Sequence, residues 1–69
     1  MNPSESVVEE WVDDIMRHWI ADNMLYYTYA IAKLYTENNR SLLYAVMRRV
    51  NEEQQSYIEE SKQFLEEEK

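Results

Sequence analysis

Apolar residues open the chain in adjacent pairs at four-residue intervals: Val7 and Val8, Trp11 and Val12, Ile15 and Met16, Trp19 and Ile20. At the helical ~100° per residue these pairs cover about 220° of a helix surface, more than the single stripe of an ordinary surface helix. A face that wide meets neighbours on two sides, and the rings of Trp11 and Trp19 are expected to fill core positions on it. Glu10, Asp13, Asp14, Arg17 and Ala21 fill the narrow polar remainder. From Met24 the apolar positions, Met24, Tyr27, Ile31, Leu34 and Tyr35, are rotated by roughly a quarter to a third of a turn. The change of phase predicts a break near Asp22 and Asn23, although one continuous helix from Pro3 to Glu37 satisfies the composition as well. Asn38 and Asn39 mark the next stop, because asparagine tolerates the left-handed conformation of a helix end and can also cap the helix that follows. Beyond it Leu43, Val50, Tyr57 and Phe64 recur every seven residues with Met47, Gln54 and Ser61 between them, and Ile58 and Leu65 broaden the seam.

The expected architecture is therefore all-α, with three helices over about residues 3–21, 24–37 and 41–66, the last long enough to outrun a compact body. Residues 1–65 form one helical domain and 66–69 an acidic tail that frays, since like charges sit at the negative end of the helix dipole. A two-helix hairpin that pairs into a four-helix bundle is the alternative. At the start, Asn2-Pro3-Ser4-Glu5 reads as a cap, a proline at the first helical position and an acid two residues on, with Ser6 and Glu9 offering a capping box one turn later.

Composition sharpens this picture. The 69-residue chain has no glycine, no cysteine and one proline. A sheet of several strands without glycine for its turns would be unusual. A chain this short struggles to hold a fold on one core, and without disulfides or a set of metal ligands the remaining support is self-association or a partner protein. A homodimer through the long helix and the aromatic face of the second helix is the expectation. Met1 to Glu10 lacks the basic and apolar regions of a secretory signal, and no apolar run approaches the ~20 residues that span a bilayer. A cytoplasmic protein without membrane contact is expected.

Charge is uneven. Residues 1–22 carry six acids and one arginine, residues 23–50 one acid and four bases, and residues 51–69 seven acids and two lysines, for a net charge of −7. A basic, aromatic centre between acidic flanks suggests complementary pairing within the fold or between copies. Direct nucleic-acid binding through Lys33, Arg40, Arg48 and Arg49 is disfavoured, because the overall charge repels phosphate. The acidic surface of Glu10, Asp13, Asp14, Glu52, Glu53, Glu59 and Glu60 permits the opposite role, a mimic of nucleic acid that occupies a basic groove on another protein.

Candidate chemistry is thin. Asp14, His18 and Asp22 share one helix edge at four-residue spacing, yet a zinc or iron site needs ligands from at least two elements and no further histidine or cysteine is present. The serines lie at helix ends or on the long helix, and neither a nucleophile motif nor a phosphate-cradling loop occurs. Neither catalysis, a cofactor nor a metal is expected. Nine aromatics in the chain carry more information, since Tyr26, Tyr27 and Tyr29 cannot all face one side of a helix. Tyrosine and tryptophan anchor interfaces, and Tyr27, Tyr35, Tyr44, Val50, Tyr57, Ile58, Phe64 and Leu65 are the expected interface set. The functional expectation is a small interaction module, an inhibitor or adaptor of the kind carried by phages and mobile elements, with acidic mimicry or a structural homo-oligomer as alternatives.

Overall fold

The computed structural model describes residues 3–67, which form three α-helices: α1, Glu5–Ile20, α2, Met24–Thr36, and α3, Arg40–Glu67. The fold is all-α, with a long final helix. Both predicted breaks are present, and each is built by side chains doing what glycine would otherwise do. After α1 the backbone turns through Asp22 at φ 57°, with Asn23 N–H bonded to the His18 carbonyl at 2.9 Å and Asp22 N–H to that of Trp19 at 3.1 Å. This is the Schellman arrangement, in which a left-handed residue lets the last carbonyls of a helix find donors. Asn38, at φ 52°, plays the same part after α2.

Each helix is capped by the residue before it. Ser4 Oγ accepts from Val7 N–H at 3.3 Å, Asn23 Oδ1 from Tyr26 N–H at 3.3 Å, and Asn39 Oδ1 from Leu42 N–H at 3.1 Å. The start of α1 thus differs from expectation. Ser4 is the cap and Pro3 precedes it, because a hydroxyl at position 4 reaches the orphan N–H three residues on; Asn2 lies outside the described residues. At the third helix Asn39 takes the capping role and Ser41 falls inside the first turn. The predicted fraying of 66–69 meets a helix that continues through Glu67, and its final two residues lie outside the described ones.

Side-chain contacts fix the topology. Val8 shares a hollow with Tyr44 and Ala45 near one end, and the Trp19 ring meets that of Tyr57 edge-on at 5.5 Å near the other, so α1 and α3 run parallel. His18 stacks on Tyr26 at 5.6 Å and Lys33 shares a hollow with Glu10 and Trp11, so α2 returns antiparallel between them in sequence. The bundle is up-down-up with α1 as its hub: α1 packs extensively on both other helices, while α2 and α3 touch slightly. The wide apolar sweep of α1 is the reason, since two neighbours are needed to cover it. The Tyr27 hydroxyl, accepting from Gln54 Nε2 at 3.2 Å, ties α2 to α3 directly.

The core consists of Val8, Val12, Ile15 and Met16 from α1, Ala30 and Leu34 from α2, and Leu42, Val46 and Val50 from α3. Two expectations are corrected here. Trp11 and Trp19 pack at the edge of the core and remain half-buried, because a bundle of this girth is too thin to enclose an indole. On α3 the innermost stripe is Leu42, Val46 and Val50, with Leu43 and Met47 flanking it, rather than the seven-residue series that begins at Leu43. Val50, expected at an interface between chains, is 1% exposed and belongs to the core.

Candidate docking surfaces

Beyond Val50 the same stripe of α3 leaves the body. Gln54 is half-buried, Tyr57 and Ile58 are partly exposed, and Phe64 and Leu65 are each 64% exposed. The chain is 48 Å long but only 15 Å across its thinnest axis. This shape follows from helix lengths, since 28 residues of α3 rise about 42 Å against about 24 Å for 16 residues of α1.

The second surface is the outer side of α2. Ala30 and Leu34 point into the core, and Tyr27 and Ile31 pack beside them. The opposite side carries Leu25, Tyr29, Ala32 and Thr36, all exposed, with Tyr26 and Tyr35 on its flanks. Lys33 is the single charged residue of this helix, and its Nζ sits 5.7 Å from the centre of the Tyr29 ring. A helix apolar around most of its circumference is ordinarily buried on all sides; this one is covered on one side only.

The predicted interface residues accordingly separate into groups. Tyr57, Ile58, Phe64 and Leu65 lie together on the projecting part of α3, and Tyr35 and Tyr44 border a common hollow at the other end of the bundle. Tyr27 is half-buried and spent on the Gln54 hydrogen bond, and Val50 is internal. Sequence reasoning passed over Leu25, Tyr26 and Tyr29 as surface anchors. The signal was available in a stretch of 13 residues with one charge.

Among the described residues, the ion pairs within 4 Å each lie along a single helix. Arg49 of α3 sits in a hollow lined by Glu9, Glu10 and Asp13 of α1 and by Glu53, and Lys33 of α2 shares another with Glu10 and Asp14. Part of the acidic surface of α1 is therefore bordered by basic residues of α2 and α3, with no ion pair between the helices among the described residues. Arg17 binds Asp14 at 2.9 Å, and Arg48 reaches Glu52 at 3.5 Å on the solvent side of α3. Glu59 lies 4.0 Å from Lys62. His18 Nε2 lies 3.6 Å from Asp14 Oδ1, beyond hydrogen-bond length, while Asp22 has turned away past the helix end. Among the described residues no group of three or more His, Cys, Asp or Glu is placed to hold a metal ion, and no helix is long and apolar enough to cross a membrane. No protein-family model matches the chain, and no curated protein or solved structure shows significant similarity to it.

Proposed function

We propose that the chain is a protein–protein interaction module, an inhibitor or adaptor, that works as a homodimer paired through the outer face of α2. The observation that carries this reading is that face itself: Leu25, Tyr29, Ala32 and Thr36 at helical spacing, exposed, on a helix with one charge. Tyrosine-rich, uncharged surface is the composition of an interface centre. The face is also complementary to itself. Its N-terminal half is bulky (Leu25, Tyr29) and its C-terminal half small (Ala32, Thr36), so an antiparallel second copy sets large side chains against small ones along about 20 Å of helix.

Electrostatics favours the same place. Two chains of net charge −7 repel one another, and residues 23–50, with four bases against one acid, are where that repulsion is least. A dimer of ordinary strength buries about 800 Å² per partner, which requires Tyr26 and Tyr35 on the flanks to join the contact. The acidic ends then face outward from both sides of the pair, available to a further protein. The alternative role as an anionic mimic is weakened by Arg49 and Lys33, which sit among the acids of α1.

Light scattering over a range of concentrations tests the pairing. The expected result is a mass near twice 8.4 kDa for the native chain, and a monomer for Ala32→Arg, which places a long charged side chain at the middle of the contact. A native chain that stays monomeric at the highest concentrations, or an Ala32→Arg variant that remains dimeric, would reject this use of α2.

A further inference from the structure

A helix that continues past its own support needs a reason. Trp19, one residue before the end of α1, lies against Tyr57, so residues 58–67 of α3 run about 15 Å beyond the body. In proteins most helical stability comes from packing of the apolar face, which this stretch of α3 lacks. It is handicapped further, because its last turn holds Glu66 and Glu67 and no base, the wrong sign for the negative pole of a helix.

The sequence nevertheless keeps this segment amphipathic and in phase with the core. Val46, Val50, Tyr57 and Phe64 follow at intervals of four, seven and seven, which places all of them on one side of α3. The first two are buried against α1, and Phe64 continues their line into the open. Ile58 and Leu65, seven apart, run beside it. One flank of this stripe is a ridge of Glu53, Glu60 and Glu67, also seven apart, and the next row out is Glu52, Glu59 and Glu66. The α1–α2 turn closes the lower end as a step.

From this geometry we infer that the projecting part of α3 is the docking site for a cationic amphipathic helix of another protein, seated on the step as a continuation of the line of α1. The inference rests on the reading of the chain as an interaction module and names the partner chemistry. Charge selects the occupant. Residues 51–67 hold six acids and one lysine, and that lysine is already beside Glu59. A second copy laid on the stripe would bring the same six acids against these six, and an anionic lipid surface would be repelled in the same way. A basic helix satisfies both parts of the site: its apolar side covers Tyr57, Ile58, Phe64 and Leu65, and its cations meet the Glu60 and Glu67 ridge and the exposed carbonyls of the last turn.

The test titrates the full chain with three synthetic peptides of about five turns: a leucine–lysine peptide with helical periodicity, a scrambled peptide of the same composition, and a leucine–glutamate peptide with the original periodicity. Fluorescence anisotropy reads binding. The periodic cationic peptide is expected to bind, to weaken about tenfold with Phe64→Ala, equal to ~1.4 kcal/mol, and to lose most of its salt dependence with Glu60→Gln and Glu67→Gln together. Phe64 is an exposed residue outside the core, so the variant keeps its fold, as circular dichroism will verify. Equal binding of the scrambled peptide, or indifference to Phe64→Ala, overturns the inference. So does a native dimer that Phe64→Ala dissociates, since the stripe would then belong to a second copy. Because Ala32→Arg separates copies without touching the stripe, its monomer should still bind the cationic peptide, and failure of the α2 pairing is thereby told apart from failure of this site.

Discussion

Two isoleucines five residues apart on α1 offer an internally controlled probe of the core. Ile15 is 0% exposed at the centre of the hub helix and Ile20, the last residue of the same helix, is 52% exposed. Truncation to alanine removes the same atoms from each. Complete burial makes the lost transfer term about 2.4 kcal/mol, at ~0.8 kcal/mol for each of three carbon groups. At Ile15 a cavity term adds to this, because α2 and α3 both lean on the site and cannot both collapse into it, for a cost of about 3–4 kcal/mol. At Ile20 roughly half of the transfer term applies with no cavity, and the better helix propensity of alanine returns ~0.4 kcal/mol, leaving under about 1 kcal/mol. A domain of this size holds ~3–10 kcal/mol in total and shifts its midpoint by about 4–8 °C per kcal/mol. Thermal unfolding by circular dichroism at one fixed protein concentration should therefore show Ile15→Ala lowered by at least about 12 °C and Ile20→Ala by a few degrees. Equal shifts for the two variants would refute the placement of α1 as the hub.

Other perturbations follow from particular contacts. Tyr27→Phe removes the hydroxyl that accepts from Gln54 Nε2 and should cost about 0.5–1.5 kcal/mol in urea unfolding. Asn38→Ala forces a β-carbon into the left-handed conformation at φ 52° and should cost ~1–2 kcal/mol, whereas Asn38→Gly should stay within about 0.5 kcal/mol of the native chain. Trp19→Ala removes a half-buried ring and its edge contact with Tyr57, with an expected loss of ~2–3 kcal/mol; an unchanged midpoint would show that the ring contributes nothing to the body. Deletion of residues 66–69 should leave helicity and midpoint nearly unchanged, because Glu66 and Glu67 are exposed and take no part in the core.

The two internal helix boundaries were legible because the chain writes those stops in asparagine, whereas the first cap fell on Ser4 and not on Asn2 as the opening residues suggested. Ser4, Asn23 and Asn39 each cap a helix, and the change of apolar phase after Ile20 located the first turn without a glycine to mark it. The breadth of the α1 stripe likewise announced two neighbours. Register within α3 was harder to read. Leu42 and Leu43 begin two adjacent apolar series, and a seven-residue repeat favours the second, but α3 packs mainly on α1, and the line that faces this neighbour is Leu42, Val46 and Val50. Burial of tryptophan was overread for a related reason: apolar patterning says which side a ring is on, while the girth of the bundle decides how deeply it can sink. Tyr26, Tyr27 and Tyr29 divided as spacing requires, one inward and two outward. The exposed Leu25 and Tyr29 line was visible only as a scarcity of charge, a weaker signal than any periodicity.

Continuity gives α3 a mechanical role. Its 28 residues include neither proline nor glycine, so nothing along it is built to kink, and the rod behaves as a lever. The Trp19 and Tyr57 rings stand at its fulcrum, with Val46 and Val50 on the short arm and Phe64 on the long one. A load applied near Phe64 is thus felt as torque on the central layer, and the indole at the pivot becomes an optical gauge of whatever grips the far end, while Trp11, two turns earlier on α1 in a hollow with Lys33, supplies the reference.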